Sequence, residues 1–384
     1  MKKTIALTTI VLASVTSAFA VDSLPQESPT FSRRVRNLGM GNVGVSITGT
    51  TESSAFYNPA GLNDITQSEI RFMTITSEIA KNSTDLINDV KDLKDDIDGA
   101  TNDADKVRVL NDFIQQRSGE FQHLRLGIEL LSYTQHNFAA GLNFDETIDL
   151  SFRDQSFPHF DMRTIGDANA YVAFSTDFWD KILQLGMTFR PTMRFALNEK
   201  DQQITYADAT TENANGDPII KDQFENILDD RQFVIPVDFG IKSNLGFDFW
   251  KDSTAYDVLQ PAIGFTWENI GSPSFAPLPT STQTANAGIS ISPKLWRLKN
   301  TFAVEMRELN RSRPMLTKLH VGGEVKLPWV LAVRGGVAQG YWTGGLSLDL
   351  VFVRIDGAVY HEEVGYYNRE DGNRRYAVSF GFKI

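Results

Sequence analysis

The end of the chain alternates strictly between two kinds of side chain, and this alternation constrains the fold more than any other feature. Tyr376, Val378, Phe380, Phe382 and Ile384 are large and apolar, whereas the residues between them are small or polar. Successive side chains of a strand point to opposite faces, so this segment has one apolar face and one small or polar face. A soluble β-sandwich could use such a strand, and so could a transmembrane barrel with lipid outside and water inside.

Segments with the same two-residue period recur after Thr66, and their number and length favour the barrel. Strands of soluble sandwiches usually have about five or six residues, whereas tilted strands that cross a bilayer need about nine to eleven or more. Most of the segments here have about ten to fifteen residues, and their number is even, as in bacterial barrels. The fourteen predicted strands are residues 68–79, 120–133, 136–149, 159–176, 181–197, 232–245, 256–268, 283–294, 301–309, 317–327, 329–339, 341–350, 351–361 and 374–384.

Connections between the predicted strands alternate in length along most of the chain. Those at 134–135 and 176–180 are short, whereas those at 80–119 and 198–231 are long. Short periplasmic turns that alternate with longer outer loops are typical of bacterial outer-membrane barrels. The tryptophans fall near predicted strand ends, where two interfacial aromatic girdles would lie. We therefore predict an all-β fold, a 14-stranded antiparallel transmembrane β-barrel.

Charged residues occupy the face opposite the apolar face of many predicted strands. A charge that faced lipid near the bilayer midplane would cost about 2–4 kcal/mol, so these side chains must point inward. They line a wet or plugged lumen, where pairing across strands would stiffen the wall. The predicted lumen charges are Arg125, Glu129, Arg190, Arg194, Glu305, Arg307, Glu324, Arg334, Arg354 and Asp356.

The start of the chain has the pattern of a secretory signal peptide. A basic beginning is followed by the mostly apolar residues 4–17 and by an A-x-A site, after which we expect cleavage at Ala20. The chain has no cysteine, which excludes disulfides, thiolate nucleophiles and a lipid anchor on cysteine. Its net charge of −11 argues against nucleic acid as a partner.

Residues 81–118 interrupt the strand pattern with apolar residues at helical spacing, and most of the other positions are Asp, Lys or Asn. We predict two amphipathic helices that meet near Gly99, inserted between the first two strands and lying outside the cell or over the barrel mouth. The stretch DDIDGATNDAD departs from EF-hand spacing and lacks the closing Glu, so we expect a solvated helix face and no metal site.

The stretch GMGNVG at residues 39–44 has the G-x-G-x-x-G spacing of a dinucleotide-binding loop. That loop needs a buried strand before its first glycine and a helix after its last. Residues 32–37 do not resemble a buried strand, and residues 45–51 are β-branched and interrupted by Gly49, which disfavours a helix. These glycines therefore have a purpose other than nucleotide binding.

The residues around these glycines resemble the N-terminal segment of the FadL and PorV group of outer-membrane barrels. That group has a small-residue stretch close to LGMGGAGVA, a polar spacer and then YxNPAGL, to which residues 36–45 and 54–62 are similar. Asn42 replaces a usual glycine, and Thr50-Thr51 stands where an acidic residue is common. The acidic insertion after the first strand also resembles a family of barrels labelled as conjugal-transfer TraF-type proteins.

With residues 1–20 as the predicted signal peptide, the resemblance implies that residues 21–67 are an N-terminal hatch or plug and residues 68–384 the barrel around it. Glycines in such a segment let its backbone pack close to the wall, and an Asn-Pro pair forms a turn. The segment is either a fixed plug or a movable hatch. The hatch and substrate-gating residues so implied are Gly39, Gly41, Gly44, Asn58, Pro59 and Ala60.

Three prolines fall inside predicted strands five, six and seven, which should be neighbours. They are Pro191, Pro236 and Pro261. Proline removes a donor from the strand ladder and is rare in central strands. We consider two interpretations: a kinked, weakly paired wall that offers a lateral opening toward lipid, and an ordinary bulge at the rim.

No catalytic constellation is present, because the five histidines are scattered and neither H-E-x-x-H nor G-x-S-x-G occurs. We expect a non-enzyme without a cofactor. By resemblance, the leading expectation is passive transport of hydrophobic or amphipathic small molecules past the hatch. The alternatives are a non-transporting scaffold of a secretion or conjugation system that docks partners through residues 81–118, and a plain polar diffusion pore.

The same resemblance implies a location in the outer membrane of a Gram-negative bacterium. The implied partners are outer-membrane lipid, a hydrophobic small-molecule ligand, and the periplasmic chaperones and barrel-assembly machinery that receive the C-terminal strand.

Overall fold

The computed structural model describes residues 33–47, 50–51, 53–100, 102–153, 159–198, 202–205, 230–295, 298–328 and 330–384, so the predicted signal peptide lies outside the described residues. Within these ranges, eighteen strand segments form one antiparallel sheet. They are β1 (Glu69–Ala80), β2 (Phe121–Gln135), β3 (Phe138–Arg153), β4 (His159–Phe178), β5 (Leu183–Phe189), β6 (Thr192–Ala196), β7 (Gln203–Thr205), β8 (Gln232–Val234), β9 (Val237–Ser243), β10 (Ala262–Glu268), β11 (Thr284–Ile291), β12 (Lys294–Leu295), β13 (Leu298–Met306), β14 (Leu319–Lys326), β15 (Leu331–Ala338), β16 (Tyr341–Asp349), β17 (Val353–Glu363) and β18 (Gly372–Lys383).

Several of these segments share one position in the sheet. Three segments, β5, β6 and β7, pair with β4. On their other side, β9 pairs with β5 and β8 pairs with β6. Likewise, β11 and β12 both pair with β13. The wall therefore has fourteen strands. β1 pairs with β2 on one side and with β18 on the other, so the sheet closes on itself. The predicted 14-stranded antiparallel barrel is confirmed.

The outer surface of the barrel is apolar, as the last strand illustrates. In β18, the outward side chains of Val378 and Phe382 are 53% and 40% exposed. Arg375 and Ala377, which belong to the alternate, inward-facing set, are buried. Large apolar side chains point outward in the same way from β2, β13 and β15. A closed barrel with an apolar exterior and a polar interior is the arrangement of a transmembrane β-barrel.

Seven helical segments accompany the described strands. They are α1 (Val35–Leu38), α2 (Ser54–Tyr57), a 3₁₀-helix (Pro59–Asp64), α3 (Lys81–Gly99), α4 (Asp103–Gln116), α5 (Thr254–Leu259) and α6 (Met315–Lys318). None of the helices in the described ranges is long and apolar enough to cross a bilayer.

Helices α3 and α4 form the predicted insertion between β1 and β2. The Asn102 side chain caps α4 by accepting a hydrogen bond from the Asp105 amide at 2.9 Å. Ile114 is buried, and the neighbouring Phe113 ring meets that of Phe152 edge-on, at 6.1 Å between centroids. The helical hairpin therefore rests on the end of β3 near the long loops.

The predicted strand 256–268 begins too early. Residues Thr254–Leu259 form α5, and the chain becomes extended only at Ala262. The Ser253 side chain accepts from the Tyr256 amide at 3.2 Å, which satisfies a backbone donor that a helix start leaves free. This cap favours a helical turn where alternation alone predicted a strand.

Candidate functional site

The described residues of the segment 33–66 lie inside the barrel and extend from one end of it to the other. Near the long loops, Arg33 pairs with Glu362 toward the end of β17. Near the short turns, the Leu62 carbonyl accepts from the Asn137 amide between β2 and β3, at 3.2 Å. α1 is buried throughout, and so is nearly all of the 3₁₀-helix. We call residues 33–66 the N-terminal segment.

Three arginines of the N-terminal segment pair with carboxylates of the wall. Arg33 contacts Glu362 at 2.7 Å, and Arg34 contacts Glu129 at 2.8 Å. Arg36 binds Glu324 through two parallel hydrogen bonds, at 2.9 and 2.7 Å. Burial alone would lower the pKa of Arg36, but the Glu324 carboxylate outweighs burial and raises it. The guanidinium therefore remains charged, and the pair holds α1 against β14.

The GMGNVG stretch receives a carboxylate of the wall. The backbone amides of Gly44, Val45 and Ser46 all donate to Oε1 of Glu305, at 2.8, 2.7 and 3.3 Å. Arg307, which directly follows β13, donates to the Asn42 carbonyl at 3.2 Å. Consecutive amides that converge on one anion form the kind of nest that binds phosphate in other proteins. Here the group that the amides bind is a carboxyl side chain of the barrel itself.

Glycines of the wall give the N-terminal segment room. A Cβ added to Gly345 would lie 3.0 Å from the Cα of Gly39, and one added to Gly240 would lie 2.9 Å from the Cδ of Pro59. Sequence analysis identified glycines of the segment but missed those of the wall, which lack any motif. The wall glycines against which the N-terminal segment packs are Gly186, Gly240, Gly264, Gly322, Gly336 and Gly345.

The hatch residues that the resemblance implies are all buried in this contact. Gly41 has a φ of 72°, which favours glycine, and its amide donates to Thr343 at 2.9 Å. The Asn58 side chain accepts from the Ala60 amide at 3.0 Å. It also donates to the carbonyls of Val45, at 2.7 Å, and Ile241, at 3.1 Å. Asn58 thus joins the two halves of the N-terminal segment to each other and to β9.

Asp64 anchors the segment at the end near the short turns. Its carboxylate pairs with Lys242, which is fully buried, and accepts from Asn244 at 2.9 Å and Gln184 at 3.1 Å. Burial by itself raises the pKa of Asp64, but attraction to Lys242 and these hydrogen bonds outweigh burial and lower it. Sequence analysis did not single out Asp64 or Lys242, because neither residue belongs to a motif.

Nine of the ten predicted lumen charges make ion pairs on the inner side of the wall, and Glu305 instead accepts from backbone amides of the N-terminal segment. Arg334 contacts Glu324 at 2.6 Å and Asp356 at 3.2 Å, and Arg354 contacts Asp356 at 2.8 Å. Arg194 contacts Asp167 at 2.7 Å. These contacts fit the interpretation in which inward charges pair across strands and stiffen the wall.

Two of the three prolines meet at a break in the wall. Pro191 separates β5 from β6, and Pro236 separates β8 from β9. The Arg190 amide donates to the Pro236 carbonyl at 3.0 Å, so the two interruptions lie side by side. Neither proline has an N–H to add to the ladder. Pro261 does not belong to this break, because it precedes β10 at the end near the short turns.

A polar cluster covers the inner side of the break. The Arg190 guanidinium donates to Asp238 at 2.9 and 2.8 Å and to the Asn269 side chain at 2.7 Å. The Asn269 amide donates in turn to Asp238 at 2.8 Å. These three side chains connect β9 with the residues on both sides of it, where the ladder is interrupted.

An apolar cluster lies next to the break, at the end of the lumen near the long loops. It consists of Ile165, Ala196, Phe275 and Leu278, with Val234 packed against it. Phe275 and Leu278 belong to the connection after β10, which therefore folds inward over the lumen. We call these five residues the mouth cluster. The guanidinium of Arg194 lies 4.1 Å above the Phe275 ring and covers one side of it.

No group of three or more potential metal ligands of the His, Cys, Asp and Glu types is found among the residues that the structure describes. The described site contains ion pairs, backbone amides that bind a carboxyl group, and several apolar clusters. Such groups bind and position, and they form a barrier along the lumen.

The fold and the site define a class: a closed 14-stranded membrane-type barrel with its own N-terminal segment inside. No known family profile matches the chain, and no curated protein sequence matches it. Solved structures do match. The toluene transporter TodX of Pseudomonas putida is 10% identical, with a TM-score of 0.47, over 94% of this chain and 99% of that one.

Two further barrels are similar along most of their length. The monoaromatic hydrocarbon channel CymD is 10% identical, with a TM-score of 0.45, over 90% of this chain and 96% of that one. A FadL homologue of Pseudomonas aeruginosa is 11% identical, with a TM-score of 0.39, over 94% and 98%. The FadL homologue is of the type that residues 36–62 resemble, whereas the TraF-type resemblance stays a prediction.

Proposed function

We propose that this protein is an outer-membrane transporter that passes hydrophobic or amphipathic small molecules from the outer loops sideways into the membrane. One observation carries the proposal: the mouth cluster adjoins the break at Pro191 and Pro236. Val234 packs against the cluster and lies two residues from Pro236. An apolar molecule that leaves water there therefore has lipid on the other side of an interrupted wall.

The filled lumen supports a sideways route. The N-terminal segment occupies the axis of the barrel and is held there by buried ion pairs. Its backbone packs closely against wall glycines, where a larger residue would clash with it. Breaking one buried pair costs about 3–5 kcal/mol, so an axial route is closed in the described state. Removing apolar surface from water, worth about 25 cal/mol per Å², would drive the sideways passage without another energy source.

In this proposal, the hatch residues determine the route by closing the axis. Gly39, Gly41 and Gly44 let the segment lie against the wall, and Asn58, Pro59 and Ala60 fix its turn beside β5 and β9. Substrate then passes beside the N-terminal segment, and the segment stays in place. The protein would be in the outer membrane of a Gram-negative bacterium, in contact with its lipid, after delivery by periplasmic chaperones and the barrel-assembly machinery.

A disulfide across the break tests the route. Phe189 and Val237 face each other directly below it. Arg190 and Pro236 form the hydrogen-bonded position above, so Phe189 and Val237 occupy a non-hydrogen-bonded position, where Cβ atoms are closest. We expect Phe189→Cys/Val237→Cys, once oxidised, to take up a fluorescent fatty acid into proteoliposomes much more slowly than the reduced form does.

The matched control is Val304→Cys/Val321→Cys, a facing pair of outward side chains on β13 and β14, in an intact part of the wall. The chain has no cysteine of its own, so each oxidised variant contains one disulfide. Equal uptake before and after oxidation at the break would contradict the lateral route. Absence of uptake by the wild type would contradict transport altogether.

The scaffold alternative rests on a specific observation as well. α3 exposes Asp85, Asp92, Asp95 and Asp96 on a hairpin that stands outside the wall. Replacing residues 84–116 by a short Gly-Ser linker keeps Ser83, which hydrogen-bonds the backbone of His123. A transporter should retain uptake after this replacement, whereas a scaffold should lose partner capture and show no uptake before or after it.

A further inference from the structure

The connection after β10, residues 269–283, folds over the mouth cluster as a loop with a narrow neck. At the neck, the Gln283 amide donates to the Ser272 hydroxyl at 3.1 Å, so the two ends of the loop are joined to each other. The Ile270 amide donates to the Val237 carbonyl at 2.9 Å, which fixes the neck to β9. Compact surface loops whose ends lie close together often have a function of their own.

Residues 273–281 form the tip of this loop, and the tip is held differently from the neck. Among the described residues, every hydrogen bond between the tip and the chain outside the loop involves Arg194. The Arg194 guanidinium donates to the Pro279 carbonyl and, at 3.0 Å, to the Ser281 hydroxyl. Asp167 of β4 holds the same guanidinium through two hydrogen bonds, at 2.8 and 2.7 Å. Arg194 therefore links the tip to the wall.

The tip covers the mouth cluster with two apolar side chains. Phe275 and Leu278 are each 1% exposed, and they pack in the cluster with Ile165 of β4 and Ala196 of β6. These two side chains occupy the place that an apolar molecule would take at the start of the proposed route. Because protein interiors are closely packed, the cluster has no room for such a molecule while the tip lies on it.

The composition of the tip favours movement as one piece. Three of its nine residues, Pro273, Pro277 and Pro279, are prolines, which restrict the backbone and provide no N–H donor. Lifting the tip breaks the two hydrogen bonds from Arg194 and exposes two apolar side chains, whereas the neck keeps its own hydrogen bond. An apolar molecule that enters the cluster removes its own surface from water and offsets part of that cost.

We propose that the tip is an entry lid and that Arg194 is its latch. The apolar part of the transported molecule opens the lid by taking the place of Phe275 and Leu278. Arg194 is a positioning residue, since it acts through the tip and does not need to touch the transported molecule. The inference rests on the proposed function, because the lid has a purpose only if molecules enter at the mouth cluster.

Labelling of a thiol on the tip tests the lid. Leu278→Cys places a buried reporter in a chain that has no other cysteine, so a maleimide reacts only when the tip has lifted. In this parent, Ser281→Ala removes one hydrogen bond from Arg194. We expect labelling at least about tenfold faster, because losing a hydrogen bond to a charged group shifts an equilibrium by about that factor. We also expect dodecanoate, below its micelle-forming concentration, to accelerate labelling of the parent in proteoliposomes.

The matched control is Ser274→Ala, which removes an exposed hydroxyl of the same tip that accepts from the Ala276 amide at 3.3 Å. It should label at the rate of the parent, and the faster gel migration of the unheated protein verifies that each variant is folded. An unchanged rate in Ser281→Ala, or an unchanged rate with dodecanoate, would overturn the lid. Uptake is a separate measurement, so accelerated labelling without any uptake would contradict the transport proposal alone.

Discussion

Replacing Arg36 by methionine tests whether buried ion pairs hold the N-terminal segment in the lumen. The reporter is Ser46→Cys in the same chain, which has no other cysteine. Ser46 is fully buried, and its hydroxyl has no hydrogen-bond partner among the described residues, so the reporter removes no contact. A maleimide can react with this thiol only when the segment leaves the wall.

The size of the effect follows from the contacts of Arg36. Its guanidinium makes two hydrogen bonds to Glu324, and both side chains are 2% exposed. Breaking a buried pair costs about 3–5 kcal/mol. We expect about 3 kcal/mol, the lower end, because Glu324 keeps its contact with Arg334 at 2.6 Å. Since each 1.4 kcal/mol is about tenfold in an equilibrium constant, the open population should rise about 100-fold.

Labelling is measured as the rate of maleimide addition to folded protein in detergent, where the rate follows the open population. The control is Arg311→Met, which removes an arginine of the connection after β13 that pairs with Glu308 outside the N-terminal segment. We expect the control to label at the rate of the parent. If Arg36→Met also labelled at that rate, the ion pair would not hold the segment, and the plug argument would fail.

Two further changes probe other contacts between the N-terminal segment and the wall. Gly240→Val places a side chain against Asn58 and Pro59, so we expect it to displace the segment and open a conductance in planar bilayers that the wild type lacks. Gly357→Val, with nothing within 4 Å of the added Cβ, should stay closed, and equal conductance in both would contradict this. Asp64→Asn should lower the unfolding temperature at pH 7 because it leaves Lys242 buried without its partner. The pKa of Asp64 is lowered in the folded protein, so its contribution is complete above about pH 4 and is lost as the pH falls through the lowered value. The difference between Asp64→Asn and wild type should therefore shrink below about pH 4, and a difference independent of pH would refute the ion pair.

The strands of the barrel wall could be predicted from the sequence, because the side chains of a membrane barrel alternate between the lipid-facing and the inward-facing side. Period-two alternation predicted the strands and their number. Glu305, Glu324 and Arg334, which it assigned to the inner face, are buried. The alternation was wrong at residues 256–259, where the capping residue Ser253 is a local signal that could have predicted the helix. Alternation describes burial on two faces, and it does not detect a helix between two strands.

The contacts of the N-terminal segment were beyond the sequence for a different reason. The partner of Arg36 lies 288 residues away, and the Lys242 that pairs with Asp64 lies 178 residues away. Period and spacing carry information over a few residues only, so they cannot pair such positions. A wall glycine such as Gly345 shows no sign in the sequence that a backbone lies against it.

The contacts of the N-terminal segment with the wall also determine the order in which parts of the barrel can assemble. Glu305 and Glu324 belong to strands that follow the segment by more than half the length of the chain. These contacts with β13 and β14 can therefore form only after those later strands are in place. Until then, Arg36 and the amides of Gly44, Val45 and Ser46 have no carboxyl partner in the wall.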